Sequence, residues 1–105
     1  MDMEKDILAL ITHSGEARSL SMEAIECARI GEYEKAESYL KEADDKLIMV
    51  HNIQTSLLHR EASGENFTMS ILLVHAQDHL MNAITINTLA REFINIYRKL
   101  KNPAE

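Results

Sequence analysis

Tryptophan is absent from this chain, cysteine and proline occur once each, and glycine occurs three times. A single cysteine, Cys27, cannot form an intrachain disulfide, which fits a reducing compartment. Its expected role is that of a small buried hydrophobe. With only three Tyr and two Phe beside the missing Trp, core volume has to come from Leu, Ile, Met and Ala, as in helical bundles. Basic charge is scarce. Eleven Lys and Arg stand against 17 Asp and Glu, a net charge of −6. Nucleic-acid binding needs a basic face, so none is expected. Long apolar runs are missing too. Stretches such as 47–50 and 71–74 fall far short of the roughly 20 residues that span a bilayer, and no N-terminal run resembles a signal peptide. The expectation is a cytoplasmic protein without membrane insertion, folded as one domain over residues 1–105.

What is present is helical periodicity. No stretch alternates with period two, so no strands are expected and the fold class is all-α. Gly31 and Gly64 each close a helical pattern in the manner of left-handed C′ glycines. Three helices follow, over about 5–29, 32–62 and 68–100, with Pro103 beyond the last. Short breaks make neighbouring helices antiparallel, an up-down-up bundle. In the second helix Tyr33, Ala36, Leu40, Ala43, Leu47, Val50, Gln54 and Leu57 follow 3-4 spacing. "GEYEKAESYLKEA" there also resembles the hairpins of tetratricopeptide repeats and of small microtubule-interacting and trafficking domains, but no second copy recurs at a fixed period. The first helix offers Ile7, Leu8, Ile11, Leu20, Ala24, Ile25 and Ala28, with a centre, "THSGEARS", almost free of large apolar groups. Gly15 within it costs about 1 kcal/mol relative to Ala, which points to close approach of a helix or a ligand.

The third helix carries two apolar seams. One, Leu73, Ala76, Leu80, Ala83 or Ile84, Ala90, Ile94 and Tyr97, suits packing on the other helices. The other is Ile71, Val74, Asp78, Met81, Thr85 and Thr88, spaced 3-4-3-4-3 like a coiled-coil seam, and is a candidate for self-association. "VHAQDHLMNA" sets His75, Asp78 and His79 among apolar neighbours, on what reads as a buried face. Burying such groups costs several kcal/mol unless they are paired. Asp78 is either a register-setting polar residue in the second seam or the partner of a Lys or Arg within the chain. His75 and His79 lie about 40° apart around the helix. They read as a packed structural pair, as part of a metal site, or as a nucleophile with a neighbour. A zinc site wants three or four protein ligands and no His-Glu-x-x-His occurs.

"LLVHAQDHLM" closely resembles the signature of the enzyme IIA proteins of the lactose/cellobiose (N,N'-diacetylchitobiose) class of the bacterial phosphoenolpyruvate-dependent sugar phosphotransferase system. "SGEARSLSMEAI", "GEYEKAESYLKEAD" and "IQTSLLHREASGE" match that family in order and spacing, so the likeness covers nearly the whole chain. The resemblance implies a three-helix protomer assembling as a parallel homotrimer. It implies a phosphorylated histidine at His75 and a buried aspartate at Asp78 that holds one divalent cation per trimer. Oxygen ligation favours a hard ion such as Mg²⁺. The implied donor is the histidine phosphocarrier protein (HPr). The acceptor is a cysteine of the cognate enzyme IIB, and through it the membrane enzyme IIC, in disaccharide uptake. Near neutral pH an imidazole, with an unperturbed pKa of about 6.5, is largely uncharged and nucleophilic. His79, or hydroxyls near Ser14 and Ser19, could donate to the phosphoryl oxygens, and Leu72 and Val74 would form a partner patch. Two rival readings are a histidine phosphotransfer domain of two-component signalling and a non-catalytic helical adaptor. The sequence assigns no sugar, and no role to His13, His51 or His59.

Overall fold

A computed structural model describes residues 3–65 and 70–101. Three helices make up the fold: α1, Met3–Arg29; α2, Tyr33–Ala62; and α3, Ile71–Lys101. No strand occurs among the described residues. The molecule is a rod of 56 × 19 × 19 Å.

The chain breaks form where the glycines stand, for a backbone reason. Gly31 has φ +88° and Gly64 φ +101°, a region an L side chain enters only with strain. At the end of α1, Glu32 N–H donates to Cys27 O (2.8 Å) and Gly31 N–H to Ala28 O (3.0 Å). At the end of α2, Glu65 N–H donates to Arg60 O and Gly64 N–H to Glu61 O. Both are Schellman closures, which satisfy carbonyls that a helix end would otherwise leave unpaired. The start of α3 differs from the expected 68. Ser70 Oγ accepts the Leu73 N–H at 3.1 Å, so the cap is Ser70 and the helix begins at Ile71. Thr68 and Pro103 lie outside the described residues.

The core has two apolar halves. Ile7, Leu10, Val50, Leu57, Leu73, Ala76 and Leu80 form one. Ala24, Cys27, Ala28, Ala36, Leu40, Ala90 and Ile94 form the other, so Cys27 is a buried hydrophobe as expected. Between them lies a layer of small and polar groups: Ser14, Ala17, Ser21, Ala43, Ala83 and Asn87, all buried. Here the face expected for α1 needs correction. Its buried line is Ile7, Leu10, Ser14, Ala17, Ser21, Ala24 and Ala28, in 3-4 steps, while Leu8 is 47% exposed. Within "THSGEARS" the inward side chains are Ser14 and Ala17, both small. Gly15 points elsewhere: a Cβ there would meet nothing within 4 Å, so it marks no close approach within the protomer.

Polar contacts tie the rods together. Arg60 pairs with Asp6 (3.4 Å) and Lys46 with Glu16 (3.3 Å) between α1 and α2. Tyr33 Oη donates to Tyr97 O (3.2 Å), and Arg91 pairs with Asp44, between α2 and α3. Asn87 Nδ2–H donates to Ser21 Oγ (3.2 Å) between α1 and α3. No described helix is long and apolar enough to cross a membrane.

Candidate functional site on α3

The inward face of α3 is the first seam: Leu73, Ala76, Leu80, Ala83, Ala90 and Ile94 are buried, with Asn87 among them. Ala83 takes the place shared with Ile84, which stays exposed, and Tyr97 is half-buried. Asn87 was not legible as a core residue, because a polar side chain breaks an apolar pattern.

The second seam faces outward. Ile71 is 89% exposed, Val74 54% and Met81 59%, and Asp78, Thr85 and Thr88 are exposed beside them. The expectation of a buried setting for His75 and Asp78 is therefore wrong for a single protomer. Asp78 has no ion pair among the described residues, which removes the reading of an intrachain Lys or Arg partner. No group of three or more His, Cys, Asp or Glu among them could hold a metal ion. One protomer thus offers a lone carboxylate in an otherwise apolar or hydroxyl-bearing strip.

His75 and His79 do meet. One helical turn sets their rings 4.4 Å apart at 83°, with Nε2 facing Nε2 at 3.0 Å. A bond between two ring nitrogens holds one proton, so one Nε2 donates and the other keeps its lone pair. Neither ring has a carboxylate partner among the described residues. His75 is exposed and His79 half-buried. On the flank towards α2, Gln77 and Gln54 exchange two amide hydrogen bonds, of 2.8 and 3.1 Å. They border a cleft of about 290 Å³ lined also by Leu57, Leu58, Leu73 and Val74. Val74 is exposed and Leu72 half-buried, so the expected partner patch has Val74 as its accessible part.

Other sequence candidates fall elsewhere. Ser14 is fully buried and its Oγ has no hydrogen-bond partner among the described residues, so it cannot serve a phosphoryl group at the surface. Ser19 lines a groove between α1 and α2 with Thr12, Gly15 and Lys46. His13 Nδ1 contacts Glu16 Oε1 at 2.7 Å. That hydrogen bond, with Lys46 beyond it, holds the Glu16 carboxyl below the usual carboxylate range. His51 and His59 are exposed on α2.

With this geometry in place, comparison with known proteins is specific. The family model described as PTS system, lactose/cellobiose specific IIA subunit, matches residues 5–98. The lichenan-specific phosphotransferase enzyme IIA component of Bacillus subtilis is 46% identical, across 94% of this chain and 90% of its own length. The cellobiose-specific EIIA component of Lactococcus lactis is 43% identical over 90% of this chain and 82% of its own. Among solved structures, the cellobiose-specific enzyme IIA from Bacillus anthracis superposes with a TM-score of 0.93 at 45% identity, covering 97% of this chain and 94% of that one. The IIA(chitobiose) chain solved with HPr, from Escherichia coli, gives 0.79 at 31% identity, covering 96% and 98%.

Proposed function

Because this chain belongs to the lactose/cellobiose-specific IIA family of the sugar phosphotransferase system, we propose that it relays phosphate in the cytoplasm from HPr to a cysteine of an enzyme IIB, through His75. The supporting observation is the His75–His79 pair, an accessible imidazole whose Nε2 faces a neighbouring ring nitrogen at 3.0 Å. The HPr complex of a similar IIA chain supports the donor. In the first step an N–P bond forms at His75 as the N–P bond on the donor histidine breaks. In the second, the His75 N–P bond breaks as an S–P bond forms on the enzyme IIB cysteine. The phosphoryl group then passes to the sugar carried by enzyme IIC. Phosphoryl transfer asks chiefly for in-line positioning and for stabilisation of spread negative charge. A helix-borne ring supplies the first. His79 N–H, freed from His75 once that nitrogen carries phosphate, supplies a donor for the second.

The quaternary reading belongs to the same proposal. The pairs Asp6–Arg60, Glu16–Lys46 and Tyr33–Tyr97 support an up-down-up order in the protomer. The exposed strip through Val74, Asp78 and Met81 supports a parallel homotrimer built around α3. One Asp78 cannot hold a cation. Three on a shared axis fit a hard divalent ion such as Mg²⁺, with water completing the shell. The ion would neutralise three carboxylates that otherwise repel. It has no part in the transfer steps.

Incubation with enzyme I, HPr and phosphoenolpyruvate tests the relay. Acid-labile phosphate should appear on His75. His75→Gln should abolish it with helical circular dichroism intact, and normal labelling of that variant would end the assignment. His79→Ala should slow transfer without stopping it, since one hydrogen-bond donor is worth about 1–3 kcal/mol.

A further inference from the structure

The facing nitrogens of His75 and His79 can hold more than a shared proton. A neutral imidazole carries a single N–H, and with that proton on Nδ1 the Nε2 lone pair is open. Both rings in this tautomer set two open Nε2 lone pairs one helical turn apart, at 3.0 Å. Imidazole is the commonest protein ligand for transition metals, and His at i and i+4 of a helix can grip one ion from a single face. The other histidines, His13, His51 and His59, make no second pair of this spacing.

The separation selects the kind of ion. Metal–imidazole bonds are about 2.0–2.1 Å long. Two such bonds at 90°, as in a square-planar or tetragonal shell, leave the nitrogens about 2.8–3.0 Å apart, whereas the wider angle of a tetrahedral shell leaves them about 3.3–3.4 Å apart. The 3.0 Å between His75 and His79 matches the first. The lone pairs must turn from facing each other to facing one point, and the exposed His75 ring has no other partner among the described residues to hold it back. Its exposure also leaves water to complete the shell. Two protein ligands fall short of a zinc site, which wants three or four. No Lys or Arg stands on α3 before Arg91 to repel a cation.

We infer that the His75–His79 pair is a two-imidazole site for a divalent transition ion of tetragonal preference, Cu²⁺ before Ni²⁺ or Zn²⁺, and that this ion and the phosphoryl group exclude one another. Binding exchanges two waters of the hydrated ion for two ring nitrogens, with no change of oxidation state. Nitrogen ligands do not favour a hard ion, so the site is distinct in chemistry from the carboxylate site proposed at Asp78. The ion site stands on the ring geometry alone; the exclusion rests on the relay proposed above. A bound ion occupies the nitrogen that would form the N–P bond, and a phosphorylated His75 leaves the ion a single ring. By linkage, each ligand weakens the other.

Cu²⁺ titration of the tag-free full chain, stripped of metal beforehand, tests the site by electron paramagnetic resonance and calorimetry. Cys27 is buried and does not compete. The spectrum should show two coordinated ring nitrogens. Once one ring binds, the second binds intramolecularly, and such linkage exceeds a single contact by about 10²–10⁴-fold. His75→Gln and His79→Ala should therefore each weaken binding by about 100-fold or more, whereas His51→Ala should leave it unchanged. Zn²⁺ should bind more weakly than Cu²⁺. Protein phosphorylated by enzyme I, HPr and phosphoenolpyruvate, then separated from them, should lose Cu²⁺ affinity as His75→Gln does. A one-nitrogen spectrum, or undiminished affinity in His79→Ala, overturns the site and leaves the relay standing. Unchanged Cu²⁺ binding in protein labelled on His75 overturns the exclusion. Absence of label from His75 overturns the relay reading, and the exclusion with it, while the spectrum still decides the ion site.

Discussion

Ser14 and Ser21 sit one heptad apart on the same buried face of α1, and the same substitution at each should shift stability in opposite directions. Ser14 is 0% exposed and its Oγ has no hydrogen-bond partner among the described residues. Ser21 is equally buried, but its hydroxyl donates to Ala17 O at 2.9 Å and accepts from Asn87 Nδ2–H at 3.2 Å. An unpaired buried hydroxyl carries a desolvation cost of about 1–3 kcal/mol. Ala also exceeds Ser in helix propensity by up to about 0.7 kcal/mol. Ser14→Ala removes that cost and leaves almost no cavity, so it should stabilise by about 1–2 kcal/mol. Ser21→Ala strands the Asn87 amide, which is only 7% exposed. That again costs about 1–3 kcal/mol, partly offset by propensity, so a net loss of about 1–2 kcal/mol follows. In a chain of 105 residues each kcal/mol moves the melting temperature by roughly 4–8 °C. Urea and thermal unfolding at one fixed protein concentration measure both, because an oligomer's apparent stability depends on concentration. A loss of stability in Ser14→Ala would show that its hydroxyl has a partner, such as a buried water. A neutral Ser21→Ala would show that Asn87 finds another acceptor at no cost. Either result breaks the argument that the middle layer is held by one hydrogen bond across α1 and α3.

Gly31→Ala should destabilise by about 1–2 kcal/mol, because φ is +88° and the new Cβ lies 3.3 Å from Lys101 Nζ. Gly15→Ala, in open space within a helix, should stabilise by up to about 1 kcal/mol, and equal shifts in urea midpoint at the two sites would refute the distinction. Glu16→Gln tests the charge cluster on α1. The wild-type carboxyl is held low by His13 and Lys46, so its contribution is present above the ordinary carboxylate range and is lost as pH falls through the lowered value. The stability gap between wild type and variant, small because Glu16 is exposed, should close on acidification; a gap that widens there has the sign wrong. In the proposed trimer Asp78→Leu would remove the mutual repulsion and the cation site together, and replacing converging buried charges by apolar groups is neutral or stabilising by about 1–4 kcal/mol. The variant should stay trimeric, melt no lower than wild type in chelator, and still be phosphorylated at His75; a monomer, or an unlabelled trimer, refutes that separation of roles.

Two kinds of feature were legible in the sequence, and both rest on local backbone physics. Gly31 and Gly64 close helices because only glycine takes those φ values without strain. The inward line of α3 is readable because Leu73, Leu80 and Ile94 repeat at helical spacing. The inward line of α1 was not, because Ser14, Ala17 and Ser21 are buried for their small size, while a search for large apolar groups picks out Leu8 and Leu20. Asn87 is hidden by the same rule, since its burial depends on Ser21, 66 residues away. The His75–His79 contact follows from i,i+4 geometry. The Gln54–Gln77 exchange joins two helices and no local pattern announces it.

The position of the histidine is fixed by the angular room that α3 leaves. Taking about 100° per residue, the core line through Leu73, Ala76 and Leu80 and the outward line through Val74, Asp78 and Met81 lie about 130° apart around the helix. Two arcs remain. One faces α2 and holds Gln77, tied to Gln54, and Arg91, paired with Asp44. The other holds Leu72, His75 and His79. A histidine one residue later would replace Ala76, which has 0% exposure, and would displace core. One residue earlier it would replace Val74, on the exposed strip that the proposed trimer would cover. In that proposed trimer, only on the free arc would a ring be held rigidly by a helix anchored on two sides and still be reached by a partner. A relay has that requirement twice over, since donor and acceptor must approach the same nitrogen in turn. Four residues on, the same arc offers one further position at contact distance, and that position is His79.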